Sequence, residues 1–235
     1  MLAQFTRTGI LLGADKLEDL ANKHIVVAGV GGVGGYVVES LVRAGVGKLT
    51  LIDHDVVDIT NLNRQLIATL ENVGQAKVRE FARRIAQINP QIQLEVVQEF
   101  ITAENLAQLL PTTLAPDYVI DCIDTIDSKV ALILYCLGQQ WKIVSSMGAG
   151  NRIDVTKVHL ADIGKTKGCA LARNIRQRLR KDGVFCGLRV VYSEEEPHAK
   201  PQLVSGSRPI NGTISYLPAL FGIMLAGEVI AGLLT

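Results

Sequence analysis

A doubly wound α/β fold with a mainly parallel sheet is what this sequence predicts, and three observations carry the prediction. Short β-branched or aliphatic runs alternate with helical patterns through the first 150 residues. A glycine turn joins the first run to the first helix, in His24-Ile-Val-Val-Ala-Gly29-Val-Gly31-Gly32-Val-Gly34. An acidic residue, Asp53, closes the second run. Strands alternating with helices imply right-handed crossovers and parallel pairing. The glycine pattern and the carboxylate after it make the predicted fold Rossmann-like.

Taken in order, residues 24–29 and 48–53 are predicted strands, each ending at Gly or Asp. Val33 to Arg43 between them carries apolar residues at helical spacing. Residues 75–88 read as a second helix, with Val78, Phe81, Ala82, Ile85 and Ile88 on one face and Asn89-Pro90 as its stop. A strand at 93–98, a helix at 103–110, a strand at 118–123, a helix from about residue 127 and a strand at 142–146 follow. Ligands of such sheets lie beyond the carboxyl ends of the strands. Gly29, Asp53, Asp124 and Ser146 each fall at or just past such an end and are expected on one rim.

After residue 150 the pattern changes. Asn151 to Ile163 reads as an extended or hairpin segment, 168–181 as a helix, and Leu188 to Ser193 as a short strand before an acidic loop, Glu194-Glu195-Glu196-Pro197. The chain is expected to be one domain, 1–235, with a nucleotide-binding half (1–150) and a C-terminal elaboration (151–235) that carries antiparallel strands and serves substrate and dimer contacts.

The bulk numbers bound the function. With 235 residues, 48% hydrophobic and 20% charged, the chain can fill a core. A net charge of +1 supplies no global field for nucleic acid, so any such contact is local. The four cysteines, Cys122, Cys136, Cys169 and Cys186, form no C-x-x-C pair, which argues against a zinc site or a disulfide framework and for reduced thiols in the cytoplasm. No signal peptide is read at the N-terminus. Residues 214–234 approach membrane-span length, but Pro218 and Glu228 interrupt them. A carboxylate near a bilayer centre is costly, so a helix buried against the sheet is expected and no stable membrane association.

The residues past the glycine turn decide between nucleotides. Gly29, Gly31, Gly32 and Gly34 let the backbone approach phosphates at a helix N-terminus, and Asp53 is placed for ribose hydroxyls. A hydride-transfer layout does not follow. Instead come Asn61-Leu62-Asn63-Arg64-Gln65, then Lys77, then Asp121-Cys122-Ile123-Asp124. Attack on an α-phosphate develops charge that fixed cations offset. Arg64 offers a planar fork and Lys77 a point charge, so ATP is expected rather than NAD. A carboxylate at Asp124 can hold Mg2+ against the phosphates, with Asp121 as the competing candidate. Asp127 reads as a helix cap, and Asp55 as a cap with no catalytic role.

These segments together, with Val73-Gly-Gln-Ala-Lys77 and Ile88-Asn-Pro90, resemble the adenylating domain of the ubiquitin-activating (E1-like) superfamily, from about residue 7 to residue 150. The resemblance implies that Asp53 binds ribose, that Asn61, Arg64, Gln65 and Lys77 serve ATP, and that Asp124 organises Mg2+. It also implies a homodimer in which Arg7 enters the partner's ATP site. In the second half, Ala161-Asp-Ile-Gly-Lys165-Thr-Lys167, Leu171 to Lys181 and Val190-Val-Tyr-Ser-Glu194 resemble the branch that dehydrates threonylcarbamoyladenosine at position 37 of tRNA. That branch activates a carboxylate with ATP and closes a ring with loss of AMP. The alternative within the superfamily is an adenylyltransferase for the Gly-Gly end of a ubiquitin-like sulfur carrier, whose members often carry two C-x-x-C pairs. A sulfur-relay protein is a further partner the resemblance admits, and a covalent role for Cys169 or Cys186 stays open. Residues 163–181 contain seven Lys or Arg and no Asp or Glu. Lys165, Lys167, Arg173, Arg176 and Arg180 are the expected tRNA contacts, the last three at helical spacing.

Overall fold

The computed structural model describes residues 3–199 and 211–235. Its centre is a seven-stranded sheet in the order β3-β2-β1-β4-β5-β7-β6. The strands are β1 (His24–Ala28), β2 (Lys48–Ile52), β3 (Gln93–Val97), β4 (Tyr118–Asp121), β5 (Ile143–Ser146), β6 (Val158–Asp162) and β7 (Arg189–Ser193). Every pairing is parallel except β6 against β7. The fold expected from sequence, a mainly parallel sheet ending in an antiparallel elaboration, is the one observed.

Burial on both faces explains the continuous apolar runs of the central strands. All five residues of β1 are buried. Because strand side chains alternate, Ile25 and Val27 join one core cluster and Val26 and Ala28 the other. Against the first face pack α3 (Gly34–Ala44), through Val37, Val38, Leu41 and Val42, and α4 (Lys77–Ile88), through Val78, Phe81 and Ile85. Against the second pack α6 (Ile126–Gly138), through Leu132, Ile133 and Cys136, and α7 (Ala170–Lys181), through Ala172, Ile175 and Leu179.

The apolar C-terminal helix, α8 (Tyr216–Leu233), is long and apolar enough to cross a membrane by composition. It packs on the first face through Leu217, Phe221, Leu225, Ala226 and Val229, the sheet-packed position expected of it.

The chain runs outward from β1 through β2 to β3, then returns to place β4 on the other side of β1. The order therefore reverses between β1 and β4, and the crevice at such a reversal is where ligands of these sheets bind. The turns leaving β1 and β4 both open there.

Several boundaries differ from those the sequence predicts. Two N-terminal helices, α1 (Thr6–Leu12) and α2 (Ala14–Ala21), precede β1 and meet at Gly13, whose φ is 92°. The helix expected at 103–110 shrinks to α5 (Leu106–Leu109), because Thr102 and Asn105 bond to each other's backbone N–H and close a turn ahead of it. The strand expected to reach residue 123 ends at Asp121, whose Oδ1 accepts the Ile123 N–H at 3.0 Å and turns the chain. The extended segment after residue 150 does not fold on itself as a hairpin. Its one strand, β6, waits for β7 beyond α7, and β7 inserts between β5 and β6.

Candidate functional site

A cleft of about 1170 Å³ opens at the β1–β4 reversal and continues over the end of β5 to the start of α7. Gly29, Asp53, Asp124 and Ser146 all line it, as expected of residues at the carboxyl ends of four strands.

The glycine turn forms its near wall. Gly29 holds φ at 84°, and a Cβ on it would stand 2.9 Å from the Cys122 carbonyl oxygen. A Cβ on Gly34 would lie 1.8 Å from the Gly29 carbonyl oxygen, so only glycine lets α3 start this close to β1. Gly31 and Gly32 between them line the cleft at the α3 N-terminus, where N–H groups and the helix dipole favour phosphate. Asp53 ties this turn to the end of β2. Its Oδ2 accepts the Val30 N–H at 2.7 Å and its Oδ1 accepts the Asp55 N–H at 2.8 Å. Each oxygen keeps a lone pair for a ribose hydroxyl.

The cations arrive from the segment between β2 and α4. A single antiparallel bridge, Val56 to Ala76, brings Asp55 beside Lys77. Lys77 is buried, and its Nζ lies 2.7 Å from Asp55 Oδ2. Asp55 is thus the counter-charge of Lys77, not the cap the sequence suggested. Arg64 extends from a 3-10 turn at Ile59–Asn61 that Asn61 closes by accepting the Asp58 N–H at 3.1 Å. The Arg64 Nη1 donates to the Thr60 carbonyl and to Asn63 Oδ1, both at 3.0 Å. Burial lowers the Arg64 pKa, and the charge of Asp124 opposes that shift. Gln65 is buried in the same wall, and its Oε1 has no hydrogen-bond partner among the described residues.

Of the two carboxylates weighed for Mg2+, the structure keeps one. Asp121 is fully buried, with Lys129 Nζ at 2.6 Å and Ser145 Oγ at 2.5 Å on its Oδ2. Lys129 also donates to the Ser146 carbonyl at 2.9 Å, which ties the ends of β4 and β5 together. Asp121 is therefore a structural ion-pair member and not a ligand. Asp124 is exposed and lines the cleft, where its one hydrogen bond among the described residues is a 3.5 Å contact from Thr125 Oγ1. One open carboxylate facing a phosphate site suits Mg2+, which is held by few protein ligands plus phosphates. Asp53, His54 and Asp55 also gather ligand atoms within 4.8 Å of one another. The Lys77 ammonium on Asp55 and the backbone N–H groups on Asp53 make that cluster a poor cation site.

The remaining candidate residues divide. Arg7 is exposed on α1 and does not line the cleft of its own chain. Lys165, Lys167, Arg173 and Arg180 are exposed. Arg176 is half-buried and partly committed within the chain. Its Nη1 donates to the Thr166 hydroxyl and carbonyl and to the Ile163 carbonyl. Arg178 pairs with Asp127, which lies in the first turn of α6 and not at its cap, Thr125. Cys169 is buried at the N-cap of α7 and lines the cleft, whereas Cys186 is exposed. Cys136 sits in one core cluster and Cys122 packs against the other. Burial raises both thiols, Cys136 to about 12.

Three residues are not evident from sequence: Asp55 as a partner of Lys77, Lys129 as the tie between two strand ends, and Arg152, buried in the cleft wall. The Asp53-His54-Asp55 run marked the first, but the other two are single basic residues in ordinary surroundings.

Comparison with known proteins places this geometry. The sequence profile of the ThiF family matches residues 5–235. The chain is 39% identical over 246 residues to the tRNA threonylcarbamoyladenosine dehydratase of Bacillus subtilis (strain 168), covering 100% of this chain and 96% of that protein. It is 36% identical over 246 residues to the protein of that name in Haemophilus influenzae, covering 98% and 93%. Among solved structures, the Escherichia coli tRNA N6-threonylcarbamoyladenosine dehydratase in complex with ATP superposes with a TM-score of 0.88 at 38% identity, covering 98% of this chain and 93% of that one. The AMP complex of the same protein gives a TM-score of 0.89.

Proposed function

The chain belongs to the ThiF family, and from that premise we infer that it is an ATP-dependent tRNA threonylcarbamoyladenosine dehydratase. The observation that carries the reading is one continuous cleft. It holds a glycine turn, Asp53, Arg64, Lys77 and Asp124 at one end and opens at the other onto the elaboration that follows β5. A nucleotide and a second, larger substrate can meet there. Whole-length relatives favour this reading over a sulfur-carrier adenylyltransferase.

The chemistry is carboxylate activation. An oxygen of the threonylcarbamoyl carboxylate attacks the α-phosphorus of ATP, and the bond to pyrophosphate breaks. An atom of the ureido part of the same group then attacks the acyl carbon and closes a ring, AMP leaves with the bonding pair, and the ureido group releases a proton. The nucleoside loses one water in total.

Asp53 holds the ribose while its backbone bonds keep the glycine turn in place. Arg64 and Lys77 offset the charge that builds on the α-phosphate and the departing pyrophosphate. On ATP binding the Lys77 ammonium passes from Asp55 alone to a place shared with phosphate oxygens. Asp124 is the residue that would hold Mg2+, which supplies further charge neutralisation on the phosphates.

The exposed Lys165, Lys167, Arg173 and Arg180 would contact tRNA phosphates and position the modified base. A homodimer fits the exposed face of α1, where Ile10 and Leu11 are 81% and 82% exposed beside Arg7. Adjacent bare apolar side chains of this size suit a partner surface. Arg7 would then reach a neighbouring cleft.

The test is substrate-dependent nucleotide release. With Mg2+ and ATP, threonylcarbamoylated tRNA should drive AMP and pyrophosphate formation, and tRNA with an unmodified adenosine should not. Release driven instead by a protein ending in Gly-Gly would move the assignment to the adenylyltransferase.

A further inference from the structure

Arg152 is a charged residue sealed into the wall of the cleft, only 5% exposed. Its Nε donates to the Glu195 carbonyl at 3.0 Å, and its Nη1 to the carbonyls of Gly148 and Gly150 at 2.9 and 3.2 Å. All of these acceptors are neutral. Among the described residues no carboxylate pairs with Arg152, and its Nη2 makes no hydrogen bond. The neighbouring Glu195 carboxylate is committed elsewhere, to the N–H groups of Ile153 and Asp154 and to His198. A buried cation without an anion is costly, and an anionic ligand removes that cost.

A second feature points the same way. A Cβ built on Gly148 would touch Arg152 Nη1 at 3.6 Å, Leu171 Cβ at 3.7 Å and Cys169 Sγ at 3.9 Å. Arg152 therefore stands beside the N-terminus of α7, a helix of 12 residues. The Ala172 N–H is capped by Cys169 Sγ at 3.5 Å. The N–H groups of Ala170 and Leu171 have no intrahelical acceptor, and both residues line the cleft with Arg152. The free Nη2 of Arg152 and the N-terminus of α7 thus border the same part of the cleft.

We propose that Arg152 and the first turn of α7 bind the carboxylate of the threonylcarbamoyl group and hold it for attack on the α-phosphate. The inference rests on the dehydratase reading and names the substrate atom recognised. The triphosphate has its own cations, Arg64 and Lys77, from the segment between β2 and α4. Arg152 follows β5, on the side of the elaboration that distinguishes one substrate from another. The Nη2 group keeps its N–H donors for a carboxylate oxygen, a charge-assisted hydrogen bond. Arg152 is here a substrate-binding residue.

The experiment compares two anticodon stem-loop RNAs, one with the threonylcarbamoyl acid and one with its methyl ester. The ester keeps the shape and removes the charge. The wild type should bind the acid at least about tenfold tighter than the ester, the size expected of a lost charge-assisted bond. Arg152→Met should bind both RNAs alike and keep ATP affinity within about twofold. Arg152→Lys retains the charge with fewer bonds to the loop and should keep a preference for the acid, which covers the case in which Arg152→Met does not fold. A preference for the acid that survives in Arg152→Met, or equal losses of acid and ester in both variants, would overturn the proposal. Loss of ATP binding in both variants would assign Arg152 to phosphate instead and overturn it too. A wild type that binds the acid preferentially but forms no AMP from it would contradict the dehydratase reading while leaving the carboxylate site in place.

Discussion

Lys77 and Asp55 form an ion pair with one member sealed and the other half open to water. Their side chains are 5% and 48% exposed, and Nζ stands 2.7 Å from Oδ2. The asymmetry decides what each deletion does. Lys77→Ala frees a carboxylate that water can solvate, whereas Asp55→Ala strands a buried ammonium. Asp55→Ala should cost about 2 kcal/mol in urea denaturation and Lys77→Ala about 1 kcal/mol or less. Saturating ATP should restore more stability to Asp55→Ala than it adds to the wild type, since phosphate replaces the missing charge. Equal costs, or no extra rescue, would remove Lys77 from the phosphate site.

Asp53 and Asp124 should fail differently. Asp53 binds the Val30 and Asp55 N–H groups, so Asp53→Ala loosens the glycine turn. ATP affinity should fall by about tenfold or more, and added Mg2+ should not help. Asp124 has little to hold within its own chain. Asp124→Ala should leave the melting temperature within about 2 °C and lower turnover by about 100-fold, partly recovered at high Mg2+. Isothermal titration and steady-state kinetics across a Mg2+ series separate the two. A Mg2+-independent defect in Asp124→Ala would refute its metal role.

The basic helix divides by what each arginine touches. Arg173→Ala with Arg180→Ala should weaken tRNA binding and reduce the slope of log affinity against log salt by about 1 to 2. Arg176→Ala should instead destabilise the fold, because its guanidinium supports Thr166 and the Ile163 carbonyl. Filter binding at several salt concentrations, set beside thermal melts, distinguishes the two. An unchanged slope in the double variant would rule out this face as the RNA contact.

His24 gives a pH dependence with a definite sign. Its pKa is lowered from 6.5, first by burial and then by the charge of Lys48, with Glu95 and Asp117 opposing. Nε2 lies 2.9 Å from Thr50 Oγ1. The folded state therefore binds its proton less readily than the unfolded one. The stabilisation is complete above pH 6.5 and is lost as pH falls through the lower folded value. His24→Gln should be less stable at neutral pH and show a flatter melting profile below about pH 6.5. A wild-type slope in that window, retained in the variant, would assign it to other groups.

The legible part of this protein was local. Gly29 and Gly34 mark a turn that needs glycine at both positions, and the buried strands announce themselves as unbroken apolar runs. Asp53, Arg64, Lys77 and Asp124 could be found because they sit at fixed distances from those strands. What the chain hid depends on residues far apart. Asp55 serves Lys77 only once the Val56–Ala76 bridge forms. Lys129 becomes a strap when β4 and β5 lie side by side. Arg152 becomes a buried cation when residues 148–150 and Glu195 close around it. The Arg176 Nη1 contacts were hidden for the related reason that helical spacing says which residues share a face and not what waits beneath it.

The central claim is that this cleft dehydrates a threonylcarbamoyl nucleoside at the expense of ATP. Nucleoside mass spectrometry of threonylcarbamoylated tRNA, after incubation with the protein, ATP and Mg2+, tests it directly. The expected product is a threonylcarbamoyladenosine lighter by one water, formed only with ATP, with one AMP released per nucleoside converted. An unchanged nucleoside with ATP consumed, or a lighter product without ATP, would contradict it.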